Sequence, residues 1–138
     1  MNQKTQLSLE QIEKRLATFS FPEVDLVVGI ASGGTFPAKM IAELLNKSVC
    51  TIEISYRSKD NQPIYEAPQL IRMDDISMGV YRILLVDDVS VSGQTIKIAK
   101  QYLTNHNIKT FVLKGKADFV LFPEINTCVS WPWNSQIS

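Results

Sequence analysis

The fold is decided by one stretch of this sequence, Arg82-Ile83-Leu84-Leu85-Val86-Asp87-Asp88-Val89-Ser90-Val91-Ser92-Gly93-Gln94-Thr95. Its uninterrupted apolar run, Ile83 to Val86, is typical of a parallel strand that is buried on both faces. The run ends in Asp87 and Asp88, and a helical pattern follows whose apolar face consists of Ile96, Ala99 and Leu103. Ligands of open α/β sheets bind at the carboxyl edge of the strands. We therefore expect both carboxylates to be exposed at a binding site on that edge.

The segment after the two acids has the residue types of a phosphate-binding loop. A helix N-terminus leaves its first N–H groups without partners and carries a partial positive charge, so it attracts phosphate. Gly93 lets the backbone approach an anion closely, and hydroxyl donors are supplied by Ser90, Ser92 and Thr95. Adjacent carboxylates suit the hydroxyls of a sugar, or a Mg²⁺ ion held between sugar and phosphates. The predicted ligand has a phosphate at one end and a diol beside it, as in ribose 5-phosphate.

This pattern resembles the phosphoribosyl pyrophosphate (PRPP) signature of the type I phosphoribosyltransferases. The signature has four apolar residues, Asp-Asp, three residues and then Ser/Thr-Gly-x-Ser/Thr, and here it spans Ile83 to Thr95. The resemblance implies that Asp87 and Asp88 hold the ribose hydroxyls and, largely through PRPP, a Mg²⁺ ion. It also implies that the 5′-phosphate is bound by Ser90, Val91, Ser92, Gly93, Gln94 and Thr95. The structural alternative is a strand with an acidic turn and an ordinary helix cap.

The composition excludes several classes of function. The chain has 138 residues, which fits a single domain over residues 1–138. Lys plus Arg and Asp plus Glu number 14 each, so no basic face for nucleic acid or an anionic membrane is expected. Cys50 and Cys128 lack metal-binding spacing and are typical of a reducing compartment. With no apolar signal core and no segment approaching a membrane span, we expect a cytoplasmic protein.

A second strand–loop–helix unit precedes the signature. Leu26 to Ile30 is typical of a buried strand, and Pro37 suits the first turn of a following helix. Between them, the loop Ser32-Gly33-Gly34 resembles the pyrophosphate-binding loop of the family. The family commonly has Arg or Lys before the glycines, so Ser32 removes a cation here. Pyrophosphate would then rest on backbone N–H groups, Mg²⁺ and Lys39, whereas a plain turn is the structural alternative.

The next segment resembles the mobile loop of the family. Val49 to Ile54 alternates as a strand and leads into a polar stretch without periodicity. The resemblance implies that Ser55 and Tyr56 begin a loop over residues 56–66 that closes on the site and excludes water. A surface hairpin is the alternative, with Gln69 to Arg72 returning as a strand.

The C-terminal part is similar to that of the xanthine–guanine and archaeal-type hypoxanthine phosphoribosyltransferases. Those chains have a lysine after a buried strand, an Asp-aromatic pair and a terminal aromatic-aliphatic-x-x-Pro-Trp. The resemblance implies that Lys114 or Lys116 reads the purine 6-oxo group, and that Val129 contacts the base edge. Pro132-Trp133 matches the ending of those chains.

Two positions depart from that pattern. Cys128 occupies the place of the aromatic residue that stacks on the base, and Val91 occupies the place of an Asp that handles the proton on purine N7. Trp131 either closes the core or supplies the missing stack, and the sequence leaves both open. The general acid/base group contributes typically about 10²–10⁴ in rate, and a stacked aromatic about 1–3 kcal/mol per base.

The sequence therefore predicts an α/β fold, with a parallel-rich twisted sheet flanked by helices and a small C-terminal hood. The predicted function is transfer of the ribose 5-phosphate of PRPP to a nucleobase, a 6-oxopurine, with Mg²⁺ as cofactor. The alternative is a non-catalytic PRPP or nucleotide sensor that keeps the sugar-phosphate site. We expect a homo-oligomer, either a dimer or a tetramer, whose ligands are PRPP and a nucleobase.

Overall fold

The computed structural model describes residues 4–55 and 69–134. The elements, in chain order, are β1 (Thr5–Gln6), α1 (Leu9–Thr18), β2 (Leu26–Ala31), α2 (Thr35–Leu45), β3 (Ser48–Ser55), β4 (Gln69–Met73), β5 (Arg82–Ser90), α3 (Gln94–Gln101), β6 (Asn107–Gly115), β7 (Phe119–Val120), β8 (Val129–Ser130) and a 3₁₀ turn (Pro132–Asn134). Within the described ranges, the helices are too short or too polar to cross a membrane.

The central sheet has six strands in the order β4-β3-β2-β5-β6-β7. All neighbouring strands are parallel except β3 and β4, which form an antiparallel pair at one edge. A second sheet joins the chain ends, because β1 pairs in parallel with β8. The predicted α/β fold with a parallel-rich sheet is confirmed.

Helices cover both faces of this sheet. The side chains of β2 and β5 alternate between two apolar clusters, one packed against α1 and α2 and the other against α3. The sequence Ser8-Leu9-Glu10-Gln11 predicts a capping box at the start of α1, and it is present, since Ser8 Oγ accepts from the Gln11 backbone N–H at 3.1 Å. The spacing of Leu9, Ile12 and Leu16 predicts that they share one apolar face of α1. Ile12 and Leu16 are buried, whereas Leu9 is 45% exposed. Leu9 is the first residue of α1.

β5 extends farther than its apolar run predicts. Its pairing with β2 ends at Val86, whereas its pairing with β6 continues until Ser90 lies opposite Gly115. Asp87 and Asp88 are thus strand residues with a neighbour on one side only. On the other side, the chain after β2 turns into the loop that leads to α2.

The C-terminal hood consists of residues 121–134, and Arg15 of α1 forms hydrogen bonds with it. The Arg15 Nε donates to the Leu121 carbonyl at 3.1 Å, and its Nη2 donates to Glu124 at 2.6 Å. The same guanidinium lies 4.7 Å from the ring centroid of Phe122. Trp131, a residue of the hood, is 3% exposed and belongs to the hydrophobic core. Trp131 therefore closes the core, which is one of the two alternatives that its sequence position allows.

Candidate active site

Asp87 and Asp88 lie together at the carboxyl edge of the sheet, but their environments differ. The Asp88 N–H donates to Asp87 Oδ1 at 2.8 Å, and the Val89 N–H donates to Asp88 Oδ1 at 2.7 Å. Asp87 is only 9% exposed, whereas Asp88 is half-buried. The expectation that both carboxylates are exposed is therefore wrong for Asp87, because strand pairing with β6 and the neighbouring loop enclose it.

Burial raises the pKa of Asp87 from 3.8 to about 8, and the negative charge of Asp88 and a hydrogen bond with its side chain add to the effect. Without a ligand, the two acids therefore resist carrying two negative charges at neutral pH. A ligand that brings hydroxyl donors or a cation to the pair would relieve that repulsion. The pair is thus arranged to bind a partner that donates hydrogen bonds or carries positive charge.

The loop Ser32-Gly33-Gly34 lies directly against the acid pair. Gly34 N–H donates to the Ile30 carbonyl at 2.7 Å, and the Ala31–Ser32 peptide bond is cis. A Cβ at Gly33 would overlap the Asp88 carboxylate, and a Cβ at Gly34 would lie 2.5 Å from the Val86 carbonyl oxygen. Both glycines are therefore needed for the close approach. The structure brings this loop and the acid pair together, as expected of neighbouring strands in a parallel sheet.

The predicted phosphate loop runs from the end of β5 into α3. Gly93 has a φ of 79°, a left-handed conformation that favours glycine, and α3 begins at the next residue. Gln94 N–H donates to Ser92 Oγ at 3.3 Å. Ser90 is 5% exposed, and within the described ranges its Oγ has no hydrogen-bond partner. A buried hydroxyl without a partner is unfavourable, and a ligand oxygen beside it would supply the missing bond.

A cavity of about 280 Å³ lies beside this loop, at the ends of β5 and β6. The turn after β6 is joined to β5, because the Lys116 N–H donates to the Ser90 carbonyl at 2.9 Å. Lys114 is half-buried and Lys116 is exposed. The residues that line the cavity are Val89, Ser90, Val91, Lys114, Gly115, Lys116, Pro123, Ile125 and Asn126. Both candidate lysines therefore lie at one cavity together with Val91 and the end of the acid-bearing strand.

The tail residues lie elsewhere. Among the described residues, Val129 and Cys128 are not part of the lining of this cavity. Val129 pairs with Thr5 and packs on the core, and Cys128 is exposed. The hood contributes Ile125 and Asn126 instead, which sequence reasoning missed because they lie in an aperiodic stretch.

The remaining predicted site residues are only partly described. Ser55 is half-buried at the end of β3, while Tyr56 and the predicted mobile loop over residues 56–66 lie outside the described ranges. A larger cavity of about 540 Å³ lies between α1 and α2 and is lined by Glu13, Leu16, Met40, Glu43 and Leu44. It contains none of the predicted site residues.

Asp87 and Asp88 suit a metal ion whose other ligands come from the substrate. Within residues 4–55 and 69–134 no cluster of three or more His, Cys, Asp or Glu side chains could hold a metal. Mg²⁺ commonly uses one or two carboxylates and takes its other ligands from water and substrate phosphates. Asp87 and Asp88 supply such a donor set, so they suit an ion that arrives with a phosphorylated ligand.

Comparison with known proteins identifies a matching family model. A family model described as the phosphoribosyl transferase domain matches residues 5–135. No curated protein matches the chain.

Solved structures share the fold at low sequence identity. A purine phosphoribosyltransferase from Pyrococcus horikoshii OT3 is 19% identical, with 94% of this chain and 93% of that chain covered and a TM-score of 0.74. A Neisseria gonorrhoeae hypothetical protein with bound ppGpp is 20% identical, with coverages of 99% and 92% and a TM-score of 0.75. The xanthine–guanine–hypoxanthine phosphoribosyltransferase of Helicobacter pylori is 16% identical, with coverages of 98% and 96% and a TM-score of 0.72.

Proposed function

Because this chain belongs to the phosphoribosyltransferase family, we propose that it transfers the ribose 5-phosphate of PRPP to a 6-oxopurine and releases pyrophosphate. The observation that carries this proposal is the contact between the Asp88 carboxylate and the Gly33 backbone. It joins the expected ribose site to the expected pyrophosphate site at one sheet edge. The buried, unpaired hydroxyl of Ser90 supports a phosphate site next to them.

In the proposed reaction a nitrogen of the base attacks C1 of PRPP. The new C1–N bond forms as the bond from C1 to the pyrophosphate oxygen breaks, pyrophosphate leaves with the electron pair, and the base gives up its N7 proton to water. Asp87 and Asp88 accept hydrogen bonds from the ribose hydroxyls and stabilise the positive charge that develops on the ring. Backbone N–H groups at the start of α3 hold the 5′-phosphate. A Mg²⁺ ion bound by PRPP and the acid pair would supply positive charge beside the leaving group.

The choice of a 6-oxopurine rests on the lysines of the 280 Å³ cavity. The ammonium group of Lys114 or Lys116 donates hydrogen bonds and cannot accept them, so it suits a 6-oxo group and opposes a 6-amino group. The relatives from P. horikoshii and H. pylori are named for purine substrates. The lysines favour a purine with an oxo group and the relatives' names support a purine in general, whereas Val91 predicts that turnover is slow.

A second candidate function is a sensor that binds a phosphorylated nucleotide without turnover. The N. gonorrhoeae protein that shares this fold was solved with bound ppGpp. A sensor needs the phosphate loop and the acid pair but no group for the N7 proton, which agrees with Val91 and with the exposed Cys128.

The deciding experiment is a pyrophosphate-release assay with PRPP, Mg²⁺ and a panel of purine and pyrimidine bases. We expect turnover with hypoxanthine or guanine and none with adenine. The matched control is the Asp87→Asn, Asp88→Asn double variant, which should lose turnover while keeping its folded circular dichroism spectrum. Stabilisation by PRPP or ppGpp without turnover on any base would favour the sensor, and preferred use of adenine would contradict the base assignment.

Three expectations from the sequence stay predictions. They are a single domain over residues 1–138, assembly as a dimer or tetramer, and a cytoplasmic location. Sedimentation equilibrium of the purified chain would test the assembly directly.

A further inference from the structure

Three aromatic rings form a continuous stack between the hood and the start of α2. The rings of Trp131 and Trp133 have centroids 5.6 Å apart with planes 4° from parallel. The ring of Phe36 continues the stack, with its centroid 5.8 Å from that of Trp133 and an interplanar angle of 8°. Offset, near-parallel rings at these distances attract one another beyond the effect of burial. We call Phe36, Trp133 and Trp131 the ring stack.

One end of the ring stack is fixed and the other is on the surface. Trp131 is 3% exposed and packs within the core formed by α1, α2 and the sheet. Trp133 is half-buried, whereas Phe36 is 52% exposed. A side chain as exposed as Phe36 contributes little to the core. Its ordered contact in the structure is with Trp133, so the stack anchors α2 to the hood rather than filling space.

Phe36 adjoins the proposed pyrophosphate loop, Ser32 to Gly34. Phe36 is the second residue of α2, and Gly34 is the N-cap of that helix. The Thr35 N–H donates to the Ser32 carbonyl at 3.2 Å, so the loop and the first turn of α2 are hydrogen-bonded to each other. A shift of the helix start would therefore displace the loop from Asp88. Two adjacent glycines give the loop much conformational freedom, which must be restricted before it can bind an anion.

We propose that Trp133 and Phe36 are positioning residues for the pyrophosphate subsite. The ring stack holds the first turn of α2 against the hood and keeps the backbone N–H groups of Ser32 and Gly33 oriented beside the acid pair. This inference rests on the proposed function of that loop. It gives Trp133, near the end of the described residues, a role in anion affinity. It also explains how the Ser32–Gly34 loop keeps its shape without a cationic side chain at position 32.

The test compares two ligands that occupy different parts of the proposed site. Calorimetry measures the affinity for magnesium pyrophosphate, which uses the Ser32–Gly34 loop, and for ribose 5-phosphate, which uses the acid pair and the α3 loop. Phe36→Leu and Trp133→Leu should each weaken pyrophosphate binding about 2- to 10-fold, the factor that one lost aromatic pair supplies. Ribose 5-phosphate affinity should stay unchanged. The double variant should lose no more than Trp133→Leu alone, because that substitution already breaks the Phe36 contact.

Two variants serve as controls. Tyr102→Leu removes an equally exposed aromatic ring at the end of α3, on the other face of the sheet, and should leave both affinities unchanged. Trp133→Phe keeps a flat ring and should restore most of the pyrophosphate affinity. Equal losses for both ligands would show a general structural role and overturn the proposal, as would unchanged pyrophosphate affinity in both leucine variants. A wild-type chain that binds neither ligand would instead overturn the proposed function, and this inference with it.

Intrinsic fluorescence gives an independent readout without any substitution. The chain has two tryptophans, Trp131 and Trp133, and both belong to the ring stack. If the stack and the loop are coupled, magnesium pyrophosphate should change the tryptophan emission and ribose 5-phosphate should not. Emission that responds to ribose 5-phosphate alone would contradict the coupling.

Discussion

The Asp88 carboxylate lies against the backbone of Gly33, so that a Cβ at residue 33 would be 2.5 Å from its carboxylate carbon. The two residues belong to different strand–loop–helix units, and their contact unites the proposed ribose and pyrophosphate sites. It leaves no room for a side chain at residue 33. The geometry of the candidate site therefore depends on this glycine as much as on the acids.

Gly33→Ala should damage the site through this contact. Forcing one methyl group into a packed position typically costs about 1–3 kcal/mol, and either the loop or Asp88 must move. We expect a lower Tm and weaker PRPP binding, measured by thermal melting and calorimetry. The control is a double-mutant cycle with Asp88→Ala, which removes the carboxylate. If Gly33→Ala destabilises the chain equally with and without Asp88, the contact is not the cause.

Asp87→Asn should stabilise the ligand-free chain and weaken PRPP binding. The pKa of Asp87 is raised from 3.8 to about 8, so between these pH values the unfolded chain has lost a proton that the folded chain keeps. The stability of the wild type therefore falls as pH rises from about 4 to about 8. The Asn variant lacks this fall, so its advantage in Tm should be small near pH 4 and largest above pH 8.

The measurement is Tm against pH in a metal-free buffer, with PRPP affinity measured separately. An Asn side chain keeps an acceptor for the Asp88 N–H, so the local backbone should be preserved. Hydrogen bonds to a charged group contribute about 1.5–3 kcal/mol each, so PRPP should bind at least tenfold more weakly. A variant that melts below the wild type at pH 9 would show that the carboxyl is not destabilising.

Ser90→Ala should likewise stabilise the chain and weaken phosphate binding. The Ser90 hydroxyl is buried and has no partner within the described ranges, and such a group costs about 1–3 kcal/mol in mutational data. Ser92→Ala is the matched control with the opposite expectation, because Ser92 Oγ accepts from the Gln94 N–H and its loss should lower Tm. A lower Tm for Ser90→Ala would mean that its hydroxyl already has a partner.

The sequence predicted those parts of the fold that are encoded locally. Apolar runs at Leu26 to Ile30 and Ile83 to Val86 identify the central strands because buried parallel strands lack polar residues. The capping box at Ser8 identifies the start of α1 because its two hydrogen bonds join residues only three apart. These features require no knowledge of the rest of the chain.

The features that the sequence did not predict depend on contacts between distant segments. β5 continues to Ser90 only because β6 supplies Gly115 opposite it. Asp87 is buried because the neighbouring strand pairs beyond the apolar run, which no pattern around residue 87 reveals. Ile125 lines the cavity because Arg15 of α1 holds the preceding segment in place by a hydrogen bond to the Leu121 carbonyl. Long-range pairing, not local propensity, therefore determines the walls and the charge state of the site.

Val91→Asp tests the base assignment directly. Val91 is 75% exposed and lines the same cavity as Lys114, so an Asp there should change the stability by no more than about 0.5 kcal/mol. The new carboxylate can take the N7 proton of a 6-oxopurine, and turnover on hypoxanthine or guanine should rise at least ~10-fold.

The KM for PRPP in the Val91→Asp variant should hardly change, because sugar and phosphates are held by other residues. Val91→Asn is the matched control, because its amide has the same shape but cannot take up a proton. We expect Asn to give a much smaller gain than Asp in the pyrophosphate-release assay. Equal gains would mean that hydrogen bonding, rather than proton transfer, limits the reaction. If neither variant gains while both still bind PRPP, the cavity between Val91 and Lys114 is not a 6-oxopurine site.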